Sequence, residues 1–235
     1  MGGLVSVLQG SPTPSAPGAP PQGDPIPPLL RGWLHLVCFF ASVPAGGAVI
    51  AAGSSGLARL AAVVYAIGMT AMFGVSAAYH RGRWSLLARR RMRRTDHATI
   101  FVMIAGSYTP LCLLALGGTT GTVILVAVWA GAALGFLFAL TGIAEKAVLG
   151  LLCYIGLGWA MVVALPELSR QLSAPELTLL FAGGILYTLG GVVLGTRWPN
   201  PSPRWFGYHE VWHTMVVLAC ACHFVTILSV VRAAP

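Results

Sequence analysis

The sequence predicts an all-α, polytopic membrane protein with seven transmembrane helices. Hydrophobic residues make up 57% of the 235 residues and charged residues only 9%, whereas soluble domains carry about a quarter charged residues. The chain holds six long apolar stretches without Asp, Glu, Lys or Arg, and a spanning helix needs about 20 such residues. The stretch 97–144 is twice that length and contains a glycine-rich turn at 117–121, so it is expected to hold two spans.

The seven spans follow from these stretches in chain order. Each is predicted to be helical because a helix satisfies every backbone amide within its own segment, as lipid requires. A membrane barrel would need alternating polar and apolar positions, and the sequence lacks that pattern. The first two spans and the last three each correspond to one apolar stretch. The third and fourth spans both lie in the long stretch 97–144. The predicted spans are residues 33–53, 60–80, 97–116, 122–142, 147–166, 177–196 and 209–230.

Residues 1–30 differ in composition from the membrane domain, which is predicted to cover residues 31–232. The segment from Ser11 to Pro28 is rich in Pro, Gly and Ser and holds one charged residue, Asp24. Such a composition cannot bury a core and predicts a disordered tail. It also lacks the basic start and the apolar run of a secretory signal.

Arginine predicts the orientation of the bundle. Seven of the fourteen basic residues lie between residues 81 and 94, in the link between spans two and three, and basic links stay in the cytoplasm. With seven spans, eleven basic residues fall on the side of this link and three on the other. The N-terminus is therefore expected inside and the C-terminus outside. The net charge of +8 is explained by topology and anionic lipid, so no nucleic-acid partner is predicted.

Four polar residues are expected to meet at the cytoplasmic end of this bundle. His80 ends span two, Asp96 opens span three, and His209 and His213 open span seven. The spacing i, i+4 places His209 and His213 on one helix face, and it places Ser76 one turn deeper than His80. Polar groups within spans are costly, face the bundle interior and usually have a function. Three imidazoles and a carboxylate are the components of a catalytic zinc site with an open position.

Simpler interpretations compete with a metal site. Histidines at a membrane interface can snorkel or cap helix ends, and an aspartate at position 96 could cap the start of span three. His97 would point about 100° away from Asp96 on a helix, and His223 lies about 15 Å along the axis from His213. His35 opens span one at the matching depth and could support the site.

The segment from His209 to His213 also matches HExxH, the motif of zinc metalloproteases, in which Glu210 would be the general base. A third protein ligand must then come from elsewhere, and no acidic residue follows Glu210. The protease interpretation also leaves His80 and Asp96 unexplained. Glu210 is therefore expected to support the site rather than to act as the base.

Several segments together resemble the bacterial haemolysin III family, which belongs with the progestin and adipoQ receptors. The resemblance runs in order from about residue 31 to residue 230. Its motifs are Arg31-Gly32-Trp33-Leu34-His35, Ser76-Ala-Ala-Tyr79-His80, Asp96-His97-Ala-x-Ile100-Phe101, Ile104-Ala105-Gly106-x-Tyr108-Thr109-Pro110, Pro199-Asn200-Pro201 and Tyr208-His209-Glu210-x2-His213.

The resemblance implies a multi-pass protein of the cell membrane with Zn²⁺ near the cytoplasmic face. His80, His209 and His213 would ligate the zinc, and Asp96 and Ser76 would hold or polarise its water. Alkaline ceramidases share this pattern of Ser, Asp and three His. The resulting hypothesis is a zinc-dependent hydrolase of a lipid amide or ester.

Two hypotheses from other classes stay open beside the hydrolase. One is a pore-forming, haemolytic protein, although spans almost devoid of charge suit a wide aqueous pore poorly. The other is a receptor-like sensor with structural zinc. Membrane lipids are the expected partners in each case, with a lipid as substrate of the hydrolase, and no oligomeric state follows from the sequence.

Overall fold

A computed structural model describes residues 27–142 and 147–235, with the backbone alone at 147–149. The predicted tail lies outside the described residues up to residue 26. Eight α-helices are described, and a π-helical turn and a 3₁₀ turn extend or join them. The helices are α1 (Trp33–Ala52), α2 (Gly56–Arg81), α3 (Leu86–Pro110), α4 (Gly118–Thr141), α5 (Ala147–Gly158), α6 (Leu165–Gln171), α7 (Ala174–Thr196) and α8 (Tyr208–Ala233).

The prediction of seven membrane spans is confirmed. Over the described ranges, seven helical segments are long and apolar enough to cross a membrane. The third span is α3 continued by the π-helical turn Leu111–Leu116, and the fifth joins α5, the 3₁₀ turn Ala160–Ala164 and α6. Large apolar side chains such as Ile67 and Val163 are exposed on the outer faces, as expected of surfaces that lie against lipid.

The helix of the third span begins much earlier than predicted, at residue 86 instead of residue 97. The Ser85 side chain accepts a hydrogen bond from the Ala88 amide and caps the new helix start. The arginines from 89 to 94 therefore lie on a helix and not in a loop. The capping interpretation of Asp96 is wrong, because Asp96 lies ten residues inside α3.

The fifth span is interrupted between α5 and α6, which the apolar pattern did not predict. Pro166 lies in the first turn of α6, and a proline inside a continuous helix removes one hydrogen bond and clashes with the preceding turn. The Tyr108 hydroxyl bridges the interruption: it donates to the Gly158 carbonyl at 2.7 Å and accepts from the Met161 amide at 2.9 Å. The backbone groups freed by the break are thus satisfied inside the protein, as lipid requires.

Contacts between neighbouring helices close the seven spans into a ring. Helix α1 packs on α2 and α8, α2 on α3, α3 on α4, α4 on α5, α5 on α7, and α7 on α8. Helices α3 and α8 also touch each other, as do α2 and α8. The ends of α2 and α8 are therefore neighbours although more than a hundred residues separate them in the chain.

The segment before α1 is attached to the loop between α7 and α8. The Leu29 amide donates to the Arg204 carbonyl at 3.0 Å, and the Leu30 amide donates to the Trp205 carbonyl at 3.2 Å. The predicted end of the tail, at residue 30, therefore falls inside a hydrogen-bonded segment. These bonds bring Arg31 and Gly32 over the end of the bundle that carries His80.

Candidate metal centre

Three histidines from two helices form a compact cluster. His80 lies in the last turn of α2, and His209 and His213 lie in the first two turns of α8. One nitrogen of each ring falls within 4.8 Å of the others. The Nε2 atoms of His80 and His209 are 3.2 Å apart. The structure thus brings together the three histidines that the sequence selected.

The donor set fits a zinc ion. With Zn–N bonds of about 2.1 Å, the ligand nitrogens of a tetrahedral site lie roughly 3.4 Å apart. The distance of 3.2 Å between the His80 and His209 nitrogens is close to this value, and the ligand nitrogen of His213 lies within 4.8 Å of both. Without a metal, one of the two rings would have to donate a hydrogen bond to the other. Imidazole nitrogens suit zinc better than magnesium or calcium, which prefer oxygen ligands.

Asp96 lies at the edge of the cluster. Its Oδ2 atom is 4.0 Å from the His80 Nε2 atom, and its side chain is only 14% exposed. The Ser76 hydroxyl interacts with the Asp96 carboxylate from one turn deeper in α2. A carboxylate in this place can accept a proton beside the imidazoles without occupying their ligand positions.

His35 belongs to the site more closely than its sequence position suggested. Its Nδ1 atom is 2.8 Å from the Ser76 hydroxyl, and its ring stacks on His213 with a centroid separation of 3.8 Å and an interplanar angle of 11°. The Nε2 atom is buried and has no partner among the described residues. His35 thus links the third histidine of the cluster to Ser76. The available signal was a single histidine in the first span at the depth of His80.

Glu210 has a structural position that leaves little freedom for proton transfer. One carboxylate oxygen accepts a hydrogen bond from the Gly207 amide at 2.8 Å and so caps α8. The other oxygen forms an ion pair with Arg31. The side chain is 3% exposed. Both oxygens are therefore occupied in fixing the start of α8, and this arrangement disfavours the protease interpretation.

The two remaining histidines lie outside the cluster. The Tyr154 hydroxyl donates to the main-chain carbonyl of His97 at 3.2 Å, and the His97 side chain is not one of the three grouped ligands. The Nε2 atom of His223 lies 3.2 Å from the Leu180 carbonyl oxygen, and its ring meets Tyr187. A carbonyl oxygen can only accept, so this nitrogen carries the proton. The spacing argument that separated His223 from the site agrees with this position.

Fold and site define a class: a multi-pass protein of the cell membrane with seven spanning helices and a histidine cluster at one end of the bundle. The chain belongs to the family described as Haemolysin-III related, whose model matches residues 26–224. The resemblance noted from the motifs is therefore confirmed.

Named relatives occur in bacteria and mammals. The chain is 36% identical over 134 residues to "Hemolysin-3 homolog" of Bacillus subtilis (strain 168), which covers 57% of this chain and 60% of that protein. It is 34% identical over 133 residues to "Hemolysin-3" of Bacillus cereus, covering 57% of this chain and 58% of that protein. It is 25% identical over 181 residues to the human "Monocyte to macrophage differentiation factor", covering 75% of this chain and 73% of that protein. The match thus spans about three fifths of the two Bacillus proteins.

Proposed function

We propose that the chain is a zinc-dependent hydrolase of a lipid amide or ester. The observation that carries the proposal is the meeting of three imidazoles from α2 and α8 with a carboxylate from α3. Three imidazoles without a fourth protein ligand are typical of catalytic zinc sites, whereas structural sites are closed by four protein ligands. An Asp beside such a set supplies the proton acceptor that amide or ester hydrolysis needs.

His80, His209 and His213 would hold the ion in this proposal. Zinc in such a site acts as a Lewis acid on a carbonyl oxygen and makes water a better nucleophile near neutral pH. Asp96 accepts a proton from the attacking water and later delivers it to the leaving nitrogen or oxygen. Ser76 would donate to the Asp96 carboxylate, and the His35 Nδ1 atom, 2.8 Å from the Ser76 hydroxyl, would help to hold Ser76 in place.

The position of the cluster favours a lipid over a soluble substrate. His80 and His209 lie within the terminal turns of two spanning helices, where hydrocarbon gives way to head groups. A lipid amide or ester carries its carbonyl group near that depth, below the head group and above the acyl chain. The substrate would therefore present its reactive carbonyl at the level of the imidazoles while its tail stays in the bilayer.

Metal content of the detergent-purified protein tests the metal half of the proposal. Inductively coupled plasma mass spectrometry should find about one zinc per chain in the natural protein. His80→Ala and His213→Ala should each lose it, whereas His223→Ala should keep it because His223 is a buried histidine of α8 outside the cluster. Monodisperse elution of all four proteins in size-exclusion chromatography would show that loss of zinc is not caused by misfolding. Equal zinc in His213→Ala and the natural protein would overturn the assignment of the ligands.

A haemolytic, pore-forming protein is the second candidate, since the two Bacillus relatives are named hemolysins. The two functions respond differently to loss of the metal. Dye release from vesicles should persist in His213→Ala if the chain forms a pore, whereas hydrolysis of a fluorogenic lipid amide should disappear if it is a hydrolase. A sensor with structural zinc would bind the metal and hydrolyse no lipid.

A further inference from the structure

A large basic cleft opens directly above the candidate metal centre. Its volume is about 720 Å³, and the segment before α1, the first turns of α3 and the loop between α7 and α8 form its walls. Tyr79 and Tyr208 also line it, and they directly precede His80 and His209 in the chain. The cleft therefore adjoins the metal centre on the side away from the membrane core.

Five arginines give the cleft its charge: Arg31, Arg89, Arg90, Arg93 and Arg197. As far as the chain is described, none of the lining residues is acidic. Glu210, outside the lining, forms an ion pair with Arg31. The positive ends of two helix dipoles add to the field, because α3 begins at Leu86 and α8 at Tyr208. Like charges repel, so an arrangement of this kind is stabilised when an anion enters it.

Arg197 carries its charge at a position where the backbone conformation favours glycine. It ends α7 with φ of 57°, in the left-handed region, where glycine is the favoured residue. Among the described residues it is the one non-glycine residue with positive φ. An arginine in this conformation costs free energy, and such costs persist where the side chain has a function. The exposed Arg197 side chain faces the same cleft as Arg89 and Arg90.

We propose that this cleft binds a phosphate group, carried by an anionic lipid or free in solution. Guanidinium groups match phosphate oxygens in pairs of parallel hydrogen bonds, which makes arginine the preferred residue for phosphate recognition. α3 extends about 15 Å beyond Asp96 towards its start, so its arginines stand above the depth of the imidazoles. The binding reaction does not depend on hydrolysis and can be measured whether or not the metal centre acts on lipid.

Calorimetric titration of the full chain in a nonionic maltoside micelle tests the proposal. The probes are dioctanoyl phosphatidylglycerol, dioctanoyl phosphatidylcholine and inorganic phosphate. The test variants are Arg197→Gly, which suits the left-handed backbone and should fold normally, and the double variant Arg89→Gln with Arg90→Gln. The matched controls are Arg91→Gln, and Arg83→Gln combined with Arg91→Gln. Both control residues lie at the same end of the bundle and do not line the cleft.

The natural protein should bind phosphatidylglycerol more tightly than phosphatidylcholine, and each test variant should weaken that binding roughly tenfold or more, because it loses charge-assisted hydrogen bonds. The controls should bind as the natural protein does. Competition by inorganic phosphate, with the same dependence on Arg197, would also support the proposal and identify free phosphate as a ligand. Equal binding of both lipids with no phosphate binding, or equal weakening in the controls, would overturn it.

Discussion

At the scale of single residues, the polar chain from His35 through Ser76 to Asp96 determines how the carboxylate can act. The Ser76 hydroxyl has His35 on one side and Asp96 on the other, so it connects the two side chains. The carboxylate is held beside the imidazoles and need not contribute to the ligand set. Metal binding and proton transfer should therefore be separable by mutation.

Asp96→Asn should keep the zinc and lose hydrolysis. The amide fills the same volume but cannot accept a proton, and a general base typically contributes a factor of about 10² to 10⁴ in rate. Zinc content by mass spectrometry and turnover of a fluorogenic lipid amide measure the two effects on one preparation. Loss of zinc equal to that of His80→Ala would mean that Asp96 is a ligand instead of a proton acceptor.

Gly32 is the residue on which the approach of the N-terminal segment to His80 depends. Its φ is +77°, and a Cβ atom there would lie 2.6 Å from the His80 Cβ atom. Gly32→Ala should therefore destabilise the protein by about 1–3 kcal/mol and lower zinc occupancy by displacing His80. Thermal unfolding and metal analysis measure the two effects. Gly47→Ala is the control, because a Cβ atom at Gly47 in α1 would have no neighbour within 4 Å. If Gly47→Ala lost as much stability as Gly32→Ala, the steric explanation would be contradicted.

The sequence predicted the histidine cluster because its members lie at the ends of apolar stretches, where depth and side follow from the number of spans. It could not predict the stacking of His35 on His213, which depends on the rotation of α1 about its own axis. It placed the start of α3 at Asp96 instead of Leu86, because the run of arginines before Asp96 indicated a loop. Charged residues ended the apolar stretch, yet the helix continues through them once it leaves the membrane.

At the scale of helices, the break in the fifth span depends on contacts with another helix, because it frees backbone hydrogen-bonding groups. Residues 147–166 are apolar throughout, so the pattern predicts one continuous helix and only Pro166 signals an interruption. Tyr108 on α3 completes the hydrogen bonds of the break. The sequence motif that contains Tyr108 therefore has a structural explanation independent of the metal centre.

Tyr108→Phe should lower the stability of the protein by about 1–3 kcal/mol, because the Met161 amide and the Gly158 carbonyl would each lose a buried partner. Thermal unfolding in detergent at fixed lipid content measures the effect. Tyr79→Phe is the control, since no hydrogen bond of the Tyr79 hydroxyl is found among the described residues. Zinc content should stay unchanged in both variants. An unfolding temperature for Tyr108→Phe equal to that of the natural protein would show that the break needs no support from α3.

The backbones of α2 and α3 come into close contact at two glycines that no repeated spacing in the sequence indicates. A Cβ atom at Gly68 would lie 3.2 Å from the Val102 carbonyl oxygen, and one at Gly106 would lie 3.3 Å from that of Val64. These two glycines come from different helices, α2 and α3, and their pairing depends on helix register. The spacing of residues within one helix cannot predict a contact between glycines of two helices. The fold class could therefore be predicted from the sequence, whereas the packing of the helices could not.

At the scale of the whole molecule, charge is concentrated at one end of the bundle. The histidine cluster, the basic cleft and most arginines lie together at that end, while Arg59, Arg170 and Arg232 belong to the other. The same arginines that predict the orientation also line the cleft. A topology signal and a binding surface can coincide, because both require positive charge beside anionic head groups.

The orientation itself is the remaining prediction: the N-terminus and the metal centre should face the cytoplasm. The physical reason is the ratio of eleven basic residues to three across the two sides, since basic links resist translocation. The orientation is measured by labelling intact cells with a membrane-impermeant maleimide. Pro201→Cys places a thiol at the end of the bundle that carries the histidine cluster, and Ser169→Cys places one at the other end. Both positions are exposed, and the natural chain reports the background of its five cysteines. Ser169→Cys should react in intact cells, whereas Pro201→Cys should react only after permeabilisation. The reverse pattern would place the basic cleft against the outer leaflet and remove the cytoplasmic leaflet as its source of anionic lipid.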